Sequence, residues 1–301
     1  MNQSSPRLTV VAAVVAGVLA LGAIAPAQAQ GAREQRRAER PTKKDTAQQA
    51  AAEQYPNATR KPAITKPSAK ASPKLEKLVK AFNGEKYPEA RAMADEIIAI
   101  ESFNAYDHAF AARIAAQSAY EGDDVAAAIA YSKKAIELDG LDNNDHFSQM
   151  LFLAQLQTQE GQHAESLVTI ERFLNETKST SPEHLFVKGD ALYNLEKYPE
   201  AIAVLKQALA NSPQGATLSN IQTRLLGSYL DSDQPAEAVK MAEEIAAKNP
   251  NDKRAQMNLV GTYQRADQNA KASAALEKLR AAGQFTEDKD YRLLASTYRQ
   301  Q

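Results

Sequence analysis

The sequence predicts an all-α protein: a right-handed superhelical solenoid of about six helix pairs with a C-terminal cap helix, preceded by a disordered arm. Its 301 residues are rich in helix-forming residues, with 6% aromatic residues and no Cys or Trp. The six-residue string EKYPEA occurs at Glu85–Ala90 and again at Glu196–Ala201. Small residues also recur every 34 to 38 residues. A period of this length is typical of solenoids with two helices in each unit.

The alanine that ends each copy of the hexapeptide belongs to a longer series of small residues. Its members are Ala90, Ala128, Ser166, Ala201, Ala238 and Ala272, separated by 38, 38, 35, 37 and 34 residues. The two hexapeptides are therefore the first and fourth members of one structural repeat. The repeated string marks a structural turn and not a duplicated active site.

The predicted boundaries follow from this period. We expect a solenoid over residues 74–301, with units near 74–104, 105–142, 146–180, 182–214, 216–250 and 253–283, and a solvating cap helix over 286–299. Small residues let paired helices approach to about 8–10 Å. Proline at the start of a second helix loses no hydrogen bond. The structural repeat positions are Tyr87, Ala90, Ala128, Ala135, Gly189, Tyr198, Ala201, Ala208, Pro213, Ala238 and Pro250.

These residues resemble the tetratricopeptide repeat family, most clearly in the unit over 182–213. Gly189, Tyr198, Ala201, Ala208 and Pro213 match its small, turn and closing positions, and a second unit matches through the run KKAIELD. The resemblance covers six units, about two-thirds of the chain. No unit has the tryptophan of the family consensus, and two glycines lie 11 residues before their alanine where the best unit has 12.

The resemblance implies a binding protein whose first helices line a concave face. A groove of this kind suits an extended or helical segment of a partner protein. The exposed groove positions would be polar and chemically mixed. They are Arg113, Gln117, Gln155, Thr158, Asp190, Asn194, Arg224, Ser228, Asn258, Thr262 and Arg265.

The first 29 residues have the features of a secretory signal peptide. An apolar run over 8–24 is followed by small residues, with Ala27 and Ala29 in an A-x-A arrangement. We therefore expect cleavage after Ala29 and a periplasmic location. The alternative is an uncleaved inner-membrane signal anchor, because the run is close to the length of about 20 residues that spans a membrane.

Residues 30–73 are predicted to form a disordered basic linker. Residues 30–74 hold 11 Lys and Arg against 4 Asp and Glu, whereas residues 75–301 hold 24 against 33. With almost no large apolar residues, this segment cannot offset the entropy cost of folding. It is either a plain linker or a contact for anionic envelope polymers or lipid.

The sequence offers no catalytic or metal-binding constellation. Its four histidines have no metal-ligand spacing, and the stretch Asp139–His146 lacks the ligand pattern of a calcium loop. We therefore expect no enzyme activity, no metal and no cofactor. Nucleic acid and small-molecule substrates are not expected as partners.

The sequence favours a scaffold or adaptor that holds one protein near another. Its repeat layout also resembles exported repeat proteins associated with TonB-type energy-transduction and uptake systems, which implies partners among envelope or TonB-system components. Two alternatives are a chaperone-like assembly factor for outer-membrane or surface structures, and a cell-wall-binding protein that acts through the basic arm.

Overall fold

The computed structural model describes residues 53–63 and 65–300. The described part holds thirteen α-helices and no β-strand, and the helices lie in the unit of residues 57–301. The predicted signal peptide and the predicted arm up to residue 52 lie outside the described residues. The predicted all-α solenoid of six helix pairs and a final helix is confirmed.

Helices pair in chain order, the first helix of each unit packing against the second. The first helices are α1 (Ser72–Asn83), α3 (Ala105–Glu121), α5 (Asn143–Gln159), α7 (Pro182–Asn194), α9 (Gly215–Asp231) and α11 (Lys253–Arg265). The second helices are α2 (Tyr87–Ile98), α4 (Val125–Glu137), α6 (His163–Thr177), α8 (Tyr198–Ala210), α10 (Pro235–Lys248) and α12 (Asn269–Ala281), and the final helix is α13 (Asp288–Arg299).

One turn geometry joins the two helices of every unit. Each turn has one residue in the left-handed region, with φ between 56° and 72°. The amide after that residue donates to the carbonyl five residues earlier, at 2.8–3.0 Å in all six turns. This is the long hydrogen bond of a Schellman ending, which satisfies carbonyls at the end of the first helix. The left-handed residues are Glu85, Asp123, Gly161, Glu196, Asp233 and Asp267.

The small residues found in the sequence lie where the two helices of a unit meet. All six members of the series are fully buried. In the third unit the hydroxyl of Ser166 donates to the Ala154 carbonyl at 2.8 Å. In the fourth unit a Cβ added to Gly189 would lie 2.6 Å from Leu205 Cδ2. The close approach of α7 and α8 therefore requires glycine at this position.

The structure differs from the predicted disordered linker at residues 57–63 and 65–70, which we call the strap. The Thr59 amide donates to the Glu176 carbonyl at 2.8 Å, at the end of α6. The Ser68 hydroxyl donates to the Asp107 carboxylate at 2.6 Å, at the start of α3. The strap thus runs back along the inter-unit loops to α1. Composition could not reveal this, because each partner lies far away in sequence.

Arg60 makes the most contacts of any strap residue. Its guanidinium donates to Asp139 Oδ1 and Asn143 Oδ1, each at 2.8 Å, and to the Leu141 carbonyl at 3.0 Å. Its side chain is only 9% exposed. Arg60 therefore fastens the strap to the loop between α4 and α5.

Arg60→Ala is expected to lower the free energy of unfolding by about 1–3 kcal/mol, because it leaves part-buried acceptors without donors. It should also speed cleavage within the strap by thermolysin, because trypsin does not cut the Lys61–Pro62 and Lys66–Pro67 bonds. Urea unfolding and mass spectrometry of a timed digest measure both effects, with Lys70→Ala as the exposed control. Unchanged cleavage rates would show that Arg60 does not hold the strap in place.

Candidate partner-binding face

In four of the five neighbouring pairs of units, the first helices approach one another more closely than the second helices do. The backbones of α1 and α3, α5 and α7, α7 and α9, and α9 and α11 come within 8 Å of each other. No two second helices make a comparable approach in the described part of the chain. Because the first helices are the more crowded layer, they line the inner side of the curve. We call this the first-helix face.

Side chains from three first helices form a connected polar relay on this face. Arg224 of α9 pairs with Asp190 of α7 at 2.5 Å and lies 4.4 Å from the ring centroid of Tyr193. The Tyr193 hydroxyl donates to Asp231 at 2.5 Å, and Asp231 also pairs with Arg265 of α11. The five side chains therefore link α7, α9 and α11 continuously.

Burial and hydrogen bonding change the pKa values of two relay groups. Burial raises the pKa of Asp190, and the neighbouring Arg224 guanidinium opposes this shift. The hydrogen bond to Asp231 raises the pKa of the Tyr193 hydroxyl, which therefore stays a donor at neutral pH. The relay is thus a set of matched charges and donors that fixes the relative positions of three helices.

An ion pair and an aromatic contact join α3 to α5. Arg113 pairs with Asp145 at 3.4 Å, and its guanidinium lies 5.1 Å from the ring centroid of Phe110. The rings of Tyr120 and Phe152 meet edge to face at 5.4 Å between centroids. Each of these side chains is half-buried, so the face is partly aromatic at this end.

The structure places the predicted groove residues in three different environments. Asn194, Asn258 and Arg265 are exposed. Five others are half-buried, and two of these, Arg113 and Arg224, are held in the ion pairs described above. The remaining half-buried residues are Gln117, Gln155 and Thr158.

Exposure was wrongly predicted for Asp190, Ser228 and Thr262, which are 8%, 0% and 4% exposed. The hydroxyls of Ser228 and Thr262 donate to carbonyls one turn earlier in their own helices, at 2.9 Å and 2.8 Å. They pack inside the helix layers and offer no groups to a partner. Asp190 is covered by its pairing with Arg224.

Sequence reasoning also missed the residues that complete the relay and the aromatic contacts. It selected polar groups only and so passed over Tyr193 and Tyr120, and it also left out Asp231, the last residue of α9. The sequence does contain a pattern that marks the aromatic rings. An aromatic residue lies three positions before the left-handed turn residue in three units, at Phe82, Tyr120 and Tyr193.

Two glycines on this face have different surroundings. A Cβ added to Gly227 of α9 would lie 3.3 Å from the Tyr193 ring. The absence of a side chain at Gly227 therefore leaves room for this ring. A Cβ added to Gly261 of α11 would have no atom within 4 Å. Leu230 stands in α9 where Tyr193 stands in α7, three residues before the turn residue. The surface in front of Gly261 is therefore open.

The histidines take part in local packing. His108 Nε2 lies 3.0 Å from the Ile100 carbonyl, and His184 Nδ1 lies 2.8 Å from the Ser179 hydroxyl. Within residues 53–63 and 65–300, no group of three His, Asp or Glu side chains could hold a metal ion. The groups on the first-helix face are the hydrogen-bonding side chains, charges and aromatic rings described above.

A second concave feature lies among α4, α5 and α6. It is a shallow cavity of about 500 Å³ with apolar residues, among them Ile136, Met150 and Leu153, and a charged margin that includes Lys133 and Arg172. Val168 stands at this cavity and is 68% exposed. Since α4 and α6 are second helices, this cavity lies apart from the first-helix face.

Among the helices that the structure describes, none has both the length and the apolar character needed to cross a membrane.

Two family models match the sequence. A model described as a tetratricopeptide repeat-like domain matches residues 61–228, and one described as a tetratricopeptide repeat matches residues 229–296. Together they span the thirteen helices almost completely. A search of curated protein sequences returned no match.

Solved structures show the same fold at low sequence identity. A tetratricopeptide repeat protein from Parabacteroides merdae is 14% identical, with a TM-score of 0.55 over 71% of this chain and 80% of its own. The fragment from residue 41 of MamA from Desulfovibrio magneticus is 16% identical, with a TM-score of 0.50 over 60% of this chain and 97% of its own. At these identities the likeness concerns the fold alone.

Proposed function

Because this chain belongs to the tetratricopeptide repeat family, whose domains mediate protein–protein interactions, we propose that it is a scaffold that holds a partner protein along its first-helix face. The observation that carries this proposal is that contacts between first helices fix this face from α3 to α11, with the backbones of α5 and α7 within 8 Å of each other. Ion pairs and aromatic contacts tie α3 to α5 and α7 to α9 and α11, while exposed polar side chains remain between them. A fixed backbone with exposed hydrogen-bonding groups suits recognition of an extended or helical segment.

The proposed role needs no chemistry of bond making or breaking. Tetratricopeptide repeat domains are typically non-catalytic scaffolds. The charged groups of the first-helix face are matched to one another and support its shape. Recognition would fall to the exposed Asn194 and Asn258, the exposed part of Arg265 and the half-buried aromatic rings.

We further propose that the scaffold acts after export, in the periplasm, in support of a TonB-type energy-transduction or uptake system. The signal-like sequence over residues 1–29 supports export. The TonB assignment rests on the resemblance of the repeat layout to exported proteins of that type.

Asn194→Glu combined with Asn258→Glu is expected to abolish or strongly weaken capture of the partner, because it adds two negative charges to the groove. Both side chains are exposed, and the hydrogen bonds lost are those within α7, from Asn194 to the Asp190 carbonyl at 2.8 Å and to its carboxylate at 3.4 Å, so the helices should remain folded. Cross-linking in live cells, purification of the tagged chain and identification of the captured proteins measure the effect. Thermal unfolding by circular dichroism checks the fold.

The matched control is Asn175→Glu combined with Gln207→Glu, which places the same two charges on exposed positions of second helices α6 and α8. We expect this variant to capture the same partners as the unmodified chain. Equal capture by both variants would contradict the proposed face. Capture of discrete partners that include no TonB-system component would overturn the narrower assignment and leave the scaffold proposal standing.

A further inference from the structure

Helix α13 presents an apolar stripe that no described helix covers. Tyr291 and Tyr298 are 53% and 50% exposed, and together with Val168 they are the large exposed hydrophobic residues of the described chain. Ala295 lies between them and is also exposed. Residues at i, i+4 and i+7 share one face of a helix. The three residues therefore form one continuous stripe.

The stripe is separate from the face by which α13 joins the solenoid. Asp290, Leu294 and Thr297 are buried on that inner face, where α13 packs against α12. Asp290 accepts from Lys253 at 2.7 Å, and Thr297 is hydrogen-bonded to Gln264 at 2.8 Å. The helix is thus firmly seated, and its stripe is presented in a fixed orientation.

A helix that only separates a solenoid from water would have a polar outer face. The sequence predicts such a solvating cap helix here. In the structure the Tyr291 ring contacts Phe285 at 5.0 Å between centroids, and the Tyr298 hydroxyl donates to Glu277 at 3.1 Å. These contacts orient the two rings without covering them. The outer surface of α13 is therefore suited to a second helix.

The charges of α13 are arranged so that the helix is complementary to a copy of itself. Asp288 is acidic and lies in the first turn, whereas Arg299 is basic and lies in the last turn. Both side chains are exposed, and neither takes part in a described ion pair. In an antiparallel pair, Asp288 of each copy lies near Arg299 of the other. The same arrangement places Tyr291 opposite Tyr298 and brings the two Ala295 residues together at the centre.

We propose that two copies of this chain associate through antiparallel packing of their α13 helices. Such a contact is isologous, so each favourable pair occurs twice. The small Ala295 at the centre allows the two helix axes to approach, and the tyrosines on either side bury their rings. This inference goes beyond the proposed function and does not depend on it, because the stripe lies outside the residues proposed to bind the partner.

A foreign protein or the segment over residues 30–52 of this chain is a less suitable occupant. Residues 30–52 contain no large apolar side chain that could cover two tyrosines. A foreign helix would have no reason to match the acidic start and basic end in register. Because α13 has 12 residues, or about 18 Å of helix, the contact is small. We therefore expect a concentration-dependent dimer.

Sedimentation velocity of the purified chain over a range of concentrations tests this directly. The unmodified chain is expected to shift from monomer to dimer as its concentration rises. Tyr291→Ser combined with Tyr298→Ser is expected to stay monomeric at every concentration, with unchanged helix content by circular dichroism. The control Val168→Ser removes the other exposed hydrophobic residue and should dimerise like the unmodified chain.

A charge exchange separates the proposed geometry from non-specific association. Arg299→Asp alone and Asp288→Arg alone should each weaken self-association, because each places like charges together at both ends of the contact. An equimolar mixture of the two variants should form a heterodimer, since both ends are then oppositely charged. A monomeric unmodified chain at all concentrations would overturn the proposal. So would a dimer that the tyrosine variant retains, or a mixture that fails to associate.

Discussion

Gly189→Ala is expected to lower the free energy of unfolding by about 1–3 kcal/mol, the usual cost of overpacking a core. The added methyl group would lie 2.6 Å from Cδ2 and 2.7 Å from Cγ of Leu205, which is fully buried. Either the Leu205 side chain must change its rotamer inside the core or α7 and α8 must move apart. Urea unfolding monitored by circular dichroism measures the loss.

The matched control is Gly261→Ala, where the added methyl group meets no atom within 4 Å. Alanine is a better helix former than glycine by about 1 kcal/mol, so this variant should be slightly more stable than the unmodified chain. Equal destabilisation by both substitutions would show that the packing of α7 on α8 is not the reason for glycine at residue 189.

Acidification is expected to destabilise the fold through His146. The side chain is fully buried, and desolvation is the main cause that lowers its pKa to about 4. Neither ring nitrogen has a hydrogen-bond partner among the described residues. Arg60 and Arg172 also disfavour the charged ring, whereas Asp139 and Glu176 favour it, with Asp139 Oδ1 3.8 Å from Nδ1.

The direction of the effect follows from proton binding in the two states. Between the ordinary histidine pKa of about 6.5 and the lowered value, the unfolded chain binds a proton that the folded chain does not bind. Stability therefore falls as the pH drops through this range, by on the order of 3 kcal/mol. Denaturant unfolding at a series of pH values measures this slope.

His146→Leu removes the titrating group and is expected to flatten the pH dependence in this range. His184 is retained in the variant, and burial lowers its pKa as well, so a smaller slope in the same direction should remain. A slope identical to that of the unmodified chain would show that His146 is protonated in the folded state at mildly acidic pH.

The period of the fold could be predicted from the sequence because it depends on local and repeated constraints. Ala90 and Ala201 must be small wherever two helices cross closely, and both are fully buried. The left-handed turn residues, such as Glu85 and Glu196, follow the same steps of 34 to 38 residues as the alanine series. The repeated hexapeptide thus begins with the left-handed residue of the Schellman turn.

The details of the binding face depend on contacts between units, which no local pattern specifies. Asp231 pairs with Arg265 across 34 residues, and Asp190 pairs with Arg224 by the same separation. Ser228 and Thr262 have polar side chains, but their hydroxyls are satisfied within their own helices. Residue type alone could not distinguish these from exposed binding groups.

The sequence did not predict that the strap is ordered, and the reason is related. Its composition is that of a linker, and a chain without large apolar residues is ordinarily left unfolded. Arg60 is held by polar groups on the loop between α4 and α5, about 80 residues further along the chain. Hydrogen bonds to a fixed surface can therefore order a segment that cannot form a core of its own.

Site-specific photo-cross-linking in live cells tests the central claim most directly. A photoreactive residue is placed at Asn194 on the first-helix face in one strain and at Gln207 on second helix α8 in another. The proposed scaffold predicts a discrete cross-linked protein from position 194 and none from position 207. The same protein from position 207 alone, with none from position 194, would contradict binding along the first-helix face.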